Sequence, residues 1–166
     1  AGLMSVTGNG PEDPQRVGVP IADLLGGIHG VVGVLAALHE RTHTGLGRVV
    51  RTSLLSAVVG VHAFQGTRVT VAQENPEAQG NHHPSIAPYG LFACADGAVQ
   101  MSVANDGLWQ KFCAEFALDP DAPGLATNPE RVRHRADTIA CVERAFAGST
   151  AADLLDRLRT AGIPAG

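Results

Sequence analysis

A chain of 166 residues with 45% hydrophobic content and a formal net charge of -4 has the size and composition of one ordinary folded domain, or of parts of two. Its 12 basic against 16 acidic residues give no overall attraction for nucleic acid or for an anionic membrane surface. Cys94, Cys113 and Cys141 are odd in number and without C-x-x-C spacing, which speaks against a disulfide framework or a cysteine zinc cluster and fits a reducing cytoplasm.

The opening Ala1-Gly2-Leu3-Met4 has neither a charged n-region nor an apolar h-region, so no secretory signal is read there. It is not an initiator sequence either, and the closing Ala161-Gly162-Ile163-Pro164-Ala165-Gly166 is turn-like; the chain reads as a piece of a longer polypeptide. From Ala22 to Thr44, Leu25, Ile28, Val32, Leu35 and Ala36 return at helical spacing, and Gly26, Gly30 and Gly33 form a second stripe. Each interior glycine costs up to ~1 kcal/mol against alanine, so the stripe predicts a backbone packed very close to it. The apolar run Leu24 to Leu38 is shorter than the ~20 residues of a membrane span and reads as a buried helix.

Gly45 and Gly47 are suited to end that helix in a left-handed cap. Val49 to Thr52 then reads as a short strand and Leu54 to about Val71 as a second helix, making a helix–strand–helix unit. Residues 73–88 show no periodicity and read as an exposed connection, with the domain boundary inside it. Beyond it, Tyr89 to Cys94 and Ala98 to Val103 flank Asp96-Gly97 as a hairpin. Helices follow at Asp106 to Phe116, at Pro129 to Phe146 after an Asn128 cap, and at Ala151 to Ala161 after Thr150. The expected class is α/β, with residues 1–72 part of a large domain and 89–166 a smaller α+β domain.

Four features carry possible chemistry. Asp23 heads the long helix, where an aspartate either caps backbone N–H groups or, fixed and ionised at the positive end of the helix, serves as a nucleophile. His39-Glu40-Arg41-Thr42-His43 spells the H-E-x-x-H of zinc proteases, but Gly45 ends the helix at once and no third ligand is in reach, so a polar last turn is the plainer reading. His82, His83 and Pro84 are loop residues that either hold a metal, form an acid/base pair or merely face solvent. Trp109, Phe112 and Phe116 recur at core spacing. No G-x-G-x-x-G, Walker A or G-x-S-x-G phrase occurs.

Several phrases together resemble the family III CoA-transferases, also called the CaiB–BaiF or formyl-CoA transferase family. They are Gly2 to Gly8, Ile21-Ala22-Asp23, Leu35 to Leu38 with Glu40-Arg41 and Thr44 to Gly47, Gly80 to Gly90, Asp96-Gly97, Asn128 with Arg131-Val132 and Arg135, and Ala161 to Gly166. The resemblance implies that residues 1–72 belong to a Rossmann-like domain, that Asp23 is the catalytic aspartate, and that His82, His83, Pro84, Ser85, Ile86 and Ala87 form the mobile substrate loop closing over it. In formyl-CoA transferase that loop is a run of glycines; here it is bulkier, which implies a different acid substrate.

Leu54 aligns near the thiol end of CoA. By the same resemblance the substrates are an acyl-CoA thioester and a small carboxylic acid, no metal or prosthetic group is needed, backbone N–H groups of the 82–87 loop and of the helix start at Asp23 stabilise oxyanions, and full-length subunits form an interlocked homodimer. An α-methylacyl-CoA racemase, which exchanges a proton beside the thioester, is the alternative on the same scaffold; a non-catalytic interaction module is the alternative outside it.

Overall fold

A computed structural model describes residues 2–166; Ala1, where the expected large-domain segment begins, lies outside the described residues. The chain divides into two compact units, Ala1–Gly80 and Asn81–Gly166, and its fold is mixed α/β, as expected.

The first unit opens with a single 3-10 turn at Leu3–Val6. A loop then closes on itself: Gly8 bridges to Pro14, and the Gln15 N–H donates to the Thr7 carbonyl at 2.8 Å. Helix α1 spans Ile21–Thr44 and ends at Gly45, whose φ of 71° is the left-handed cap that the glycine provides, with its N–H donating to the Arg41 carbonyl. The glycine stripe meets the predicted close neighbour. An added Cβ would stand 2.9 Å from Leu54 Cδ2 at Gly26, 3.7 Å from Thr52 Cγ2 at Gly30 and 2.6 Å from Val50 Cγ1 at Gly33. Alternate residues of one segment thus descend a helix face at intervals of four and three, the period-two spacing of extended chain laid along a helical period.

Three expectations for this unit need correction. Val49 to Thr52 carries no ladder, because no other strand of the unit lies beside it among the described residues. The expected helix from Leu54 to Val71 is broken into α2 (Leu54–Val61), α3 (Ala63–Thr67) and a wider π-type turn at Arg68–Ala72. His62 Nδ1 lies 2.7 Å from the Val58 carbonyl, which an unbroken helix would give to the His62 N–H; that N–H reaches back to Val59 instead, and Ala63 follows with φ of 45°. Lastly, α1 is not a buried helix. Gly26 is its only buried residue, since α2 and the extended segment cover one side and Ile28, Val31, Val32 and Leu35 stay more than half exposed. With 24 residues and an 18-residue stretch of mean hydropathy 1.9, α1 is long and apolar enough by composition to cross a membrane; apolar core helices share that property.

The second unit is built on the hairpin β1 (Tyr89–Cys94) and β2 (Gly97–Ser102), paired antiparallel with Phe92 opposite Val99 and Gly90 opposite Met101. Cys94 faces Gly97, so Ala95-Asp96 is the turn, one residue earlier than the Asp-Gly pair implied. One face of the hairpin is buried. Phe92, Val99 and Met101 pack with Trp109, Phe112, Val142, Phe146, Leu154 and Leu158 from the helices α4 (Asp106–Phe116), α6 (Arg135–Phe146) and α7 (Ala151–Thr160). The Trp109, Phe112 and Phe116 stripe is core, as its spacing implied. The expected 129–146 helix is two helices, α5 (Asn128–Arg133) and α6, with the Thr138 hydroxyl on the Arg131 carbonyl that an unbroken helix would give to the Arg135 N–H. Thr127, not Asn128, is the cap of α5, in a reciprocal capping box with Glu130.

Candidate active site

Asp23 is the third residue of α1, and the structure decides against the capping alternative. Pro20 occupies the cap position, no side chain caps the helix, and the Asp23 carboxylate is exposed and accepts no hydrogen bond among the described residues. The N–H groups of Ala22 and Asp23 have no acceptor there either. An uncommitted carboxylate beside uncommitted donors at the positive end of a 24-residue helix is placed to attack an electrophilic carbonyl and to receive the oxyanion that results.

Asp23 lines a cleft of ≈ 350 Å³ within the first unit, walled by Met4, Val17, Val19, Pro20 and Val58 and, among the described residues, carrying a single cation, Arg16. A larger cavity of ≈ 500 Å³ beside His62 has, among the described residues, no carboxylate on its walls to act as nucleophile. Leu54 starts α2 directly after the Ser53 cap, whose hydroxyl accepts the Ser56 N–H at 3.1 Å. Its side chain presses on Gly26, one turn along α1 from Asp23, so the structure brings Leu54 to the helix face that carries the aspartate.

The H-E-x-x-H string does not form a centre. Arg48 Nε donates to Glu40 Oε2 at 2.9 Å, and this hydrogen bond holds the Glu40 carboxyl below its ordinary value. His39 and His43 lie edge to face with centroids 5.1 Å apart. Among the described residues no group of three or more His, Cys, Asp or Glu is placed to hold a metal.

Residues 82–87 lie in the second unit, where the helix pair α5–α6 grips them by the backbone. Arg135 Nη1 donates to the His83 carbonyl at 2.7 Å and Nη2 to the Pro84 carbonyl at 2.9 Å. Asn128 spans the loop, its Nδ2 donating to the Ser85 carbonyl and its Oδ1 accepting the Ala87 N–H, both at 3.0 Å. Arg131, fully buried, donates from Nε to the Ala87 carbonyl at 2.7 Å, from Nη1 to the carbonyls of Leu125 and Ala126, and from Nη2 to Asp106 Oδ1 at 2.6 Å.

This corrects the expectation that the loop's N–H groups serve freely as oxyanion donors. The N–H of His83 goes to the Tyr89 carbonyl, that of Ser85 to His83 Nδ1 and that of Ala87 to Asn128, leaving only His82 and Ile86 among the described residues. His83 stacks on Tyr89, and burial followed by the nearby Arg135 cation lowers its basicity. His82 is lowered by the same two causes, with Glu143 opposing them.

Compared with known proteins, the whole chain, residues 1–166, matches the model of CoA-transferase family III. The chain belongs to that family. It is 32% identical over 168 residues to a succinate–glutarate CoA-transferase of Agrobacterium fabrum, covering 100% of this chain and 42% of that protein. It is 34% identical over 162 residues to a succinyl-CoA:mesaconate CoA-transferase of Haloarcula hispanica, covering 93% and 40%. A solved CaiB/BaiF family protein from Brucella suis superposes with a TM-score of 0.79 at 33% identity, over 99% of this chain and 44% of that one.

This family III chain thus spans about two fifths of the curated relatives it matches. Sequence reasoning gave no role to Arg16, and it did not foresee that Asn128, read as a helix cap, grips the loop together with Arg131 and Arg135. These three recur at intervals of three and four, the spacing that sets polar side chains on one helical side.

Proposed function

We propose that the full-length protein moves CoA from an acyl-CoA thioester to a small free carboxylic acid, with Asp23 as the covalent carrier. What supports this most is the position of Asp23: an exposed, unbonded carboxylate over a cleft, next to two uncommitted backbone donors. Membership of the family and the named activities of its relatives, which transfer CoA among succinate, glutarate and mesaconate, set the reaction class.

An Asp23 oxygen attacks the thioester carbonyl; the C–S bond breaks, CoA leaves as thiolate, and an acyl-aspartyl anhydride remains. The thiolate then attacks the aspartyl carbonyl and expels the donor acid, leaving an aspartyl-CoA thioester. The acceptor carboxylate attacks that carbonyl in turn, releasing thiolate and forming a second anhydride. Attack of the thiolate on the acceptor acyl carbonyl yields the new acyl-CoA and restores Asp23. Every step consumes one carbonyl–heteroatom bond and forms another, so the sequence needs no oxidant or reductant. The N–H groups of Ala22 and Asp23 are the donors proposed for the oxyanions. Leu54 is proposed to pack near the thiol end of CoA, and residues 82–87 to form the substrate loop. An interlocked homodimer in the cytoplasm is the proposed setting of the full-length protein.

The test is to incubate full-length protein with a panel of acyl-CoAs, quench with hydroxylamine and map the products by mass spectrometry. An adduct on Asp23 is expected; transfer that proceeds with Asp23 unmodified and replaceable by Asn refutes the reading.

A further inference from the structure

Within the cleft that Asp23 shares, we infer that Arg16 is the specificity residue for a second carboxylate, so that the enzyme prefers dicarboxylic to monocarboxylic acids; this rests on the transferase reading above. Among the described residues Arg16 is the only cation on the cleft wall. It is also unspent: its guanidinium makes no hydrogen bond or ion pair among the described residues.

Asp13, three residues earlier in the chain, is engaged through one carboxylate oxygen by other side chains. Asp13 Oδ2 accepts from Asn9 Nδ2 at 2.7 Å and from Gln15 Nε2 at 2.9 Å. The segment is moreover held in place just before Arg16, by the Gly8–Pro14 bridge and by the Gln15 N–H on the Thr7 carbonyl. Two other arginines of the first unit are paired, Arg48 with Glu40 and Arg68 with Glu74, while Arg41 and Arg51 line neither the Asp23 cleft nor the larger cavity. A cation kept free of internal partners at an anchored position, facing a cleft whose other charge is the nucleophile, is built to receive an anion from outside.

The chemistry separates the two charges. Asp23 works on one carboxyl group of the acid, and two anions cannot be held by Asp23 itself. The distal carboxylate of a diacid therefore needs a cation across the cleft, and the planar guanidinium fork accepts it with two parallel hydrogen bonds. A site with such a donor rejects the acid lacking the partner, because the guanidinium then gives up water without replacement. The phosphates of CoA offer the same anionic chemistry, so the test must tell the two apart.

The experiment uses full-length wild type, Arg16→Met and Arg16→Lys, with acetyl-CoA as donor, and compares kcat/KM for glutarate and for pentanoate, diacid and monoacid of equal length. We expect Arg16→Met to lower the glutarate-to-pentanoate ratio on the order of tenfold to a hundredfold, mainly through KM for glutarate, with the KM for acetyl-CoA unchanged. Arg16→Lys should restore part of the ratio. An unchanged ratio overturns the inference, as does an equal loss on both acids with a raised acetyl-CoA KM, which would assign Arg16 to CoA phosphate. Failure of the reading beneath it looks different: wild type itself would then carry CoA to neither acid. Because Arg16 has no internal partner, the thermal melting of both variants should match wild type.

Discussion

Val50 lies across the bare backbone of Gly33 so closely that a methyl group there would stand 2.6 Å from Val50 Cγ1. One turn back, Gly30 leaves an ordinary 3.7 Å to Thr52 Cγ2. The same substitution should therefore have opposite signs at the two sites. Gly30→Ala gains helix propensity, up to about 1 kcal/mol. Gly33→Ala must displace a β-branched side chain with little rotamer freedom, a net loss of about 1–2 kcal/mol. Urea denaturation of the two variants checks the ranking, and a more stable Gly33→Ala would show that Val50 does not hold the extended segment to α1.

Removing the Asp23 nucleophile separates chemistry from folding. Asp23→Asn should cut transfer at least about a thousandfold, as loss of a covalent carrier does. Stability should fall by about 1 kcal/mol at most, since only a favourable interaction with the helix end is lost. A variant that keeps its rate, or one that unfolds, contradicts the assignment.

Arg131 is expected to be the least replaceable side chain of the second unit. Its buried guanidinium bonds carbonyls at Ala87, Leu125 and Ala126 and the Asp106 carboxylate, and lies 4.9 Å over the Trp109 ring. Arg131→Met should cost about 3–5 kcal/mol by stranding those acceptors. Arg131→Lys should recover little, because one ammonium cannot span the fork. Equilibrium unfolding followed by Trp109 fluorescence measures both.

How much of this was legible beforehand divides by the range of the interaction. The glycine stripe announced a close neighbour, Gly45 announced the end of α1, and the aromatic spacing announced the core of the second unit, because each signal is local. The breaks at His62 and His134 were not legible: at each a side chain takes a carbonyl that the backbone would otherwise use, that of Val58 in the first case and of Arg131 in the second, and propensity does not record that competition. The exposure of α1 was missed for a related reason, since apolarity shows what a helix could bury and not what covers it. At the candidate site, Asp23 stood out by position and phrase. Arg16 did not, because its meaning lies in a cleft wall that only folding assembles.

The two loop histidines give a pH signature with a definite sign. Burial and the Arg135 cation hold both below the ordinary value of 6.5. The unfolded chain takes up these protons near pH 6.5, whereas the native chain resists until the pH is lower. Their contribution is therefore fully present above pH 6.5 and is lost as pH falls through the window beneath it. NMR titration should find both imidazoles below 6.5, and Arg135→Met should move them upward. Wild-type titration at or above 6.5 would contradict the geometry.

The anchors on residues 83–87 hold the peptide units themselves: Arg135, Asn128 and Arg131 clasp carbonyl oxygens and one amide, which every amino acid but proline supplies in full. The path of this segment is thus largely independent of the identities threaded along it. A lineage can exchange the groups it displays while the mounting stays as it was.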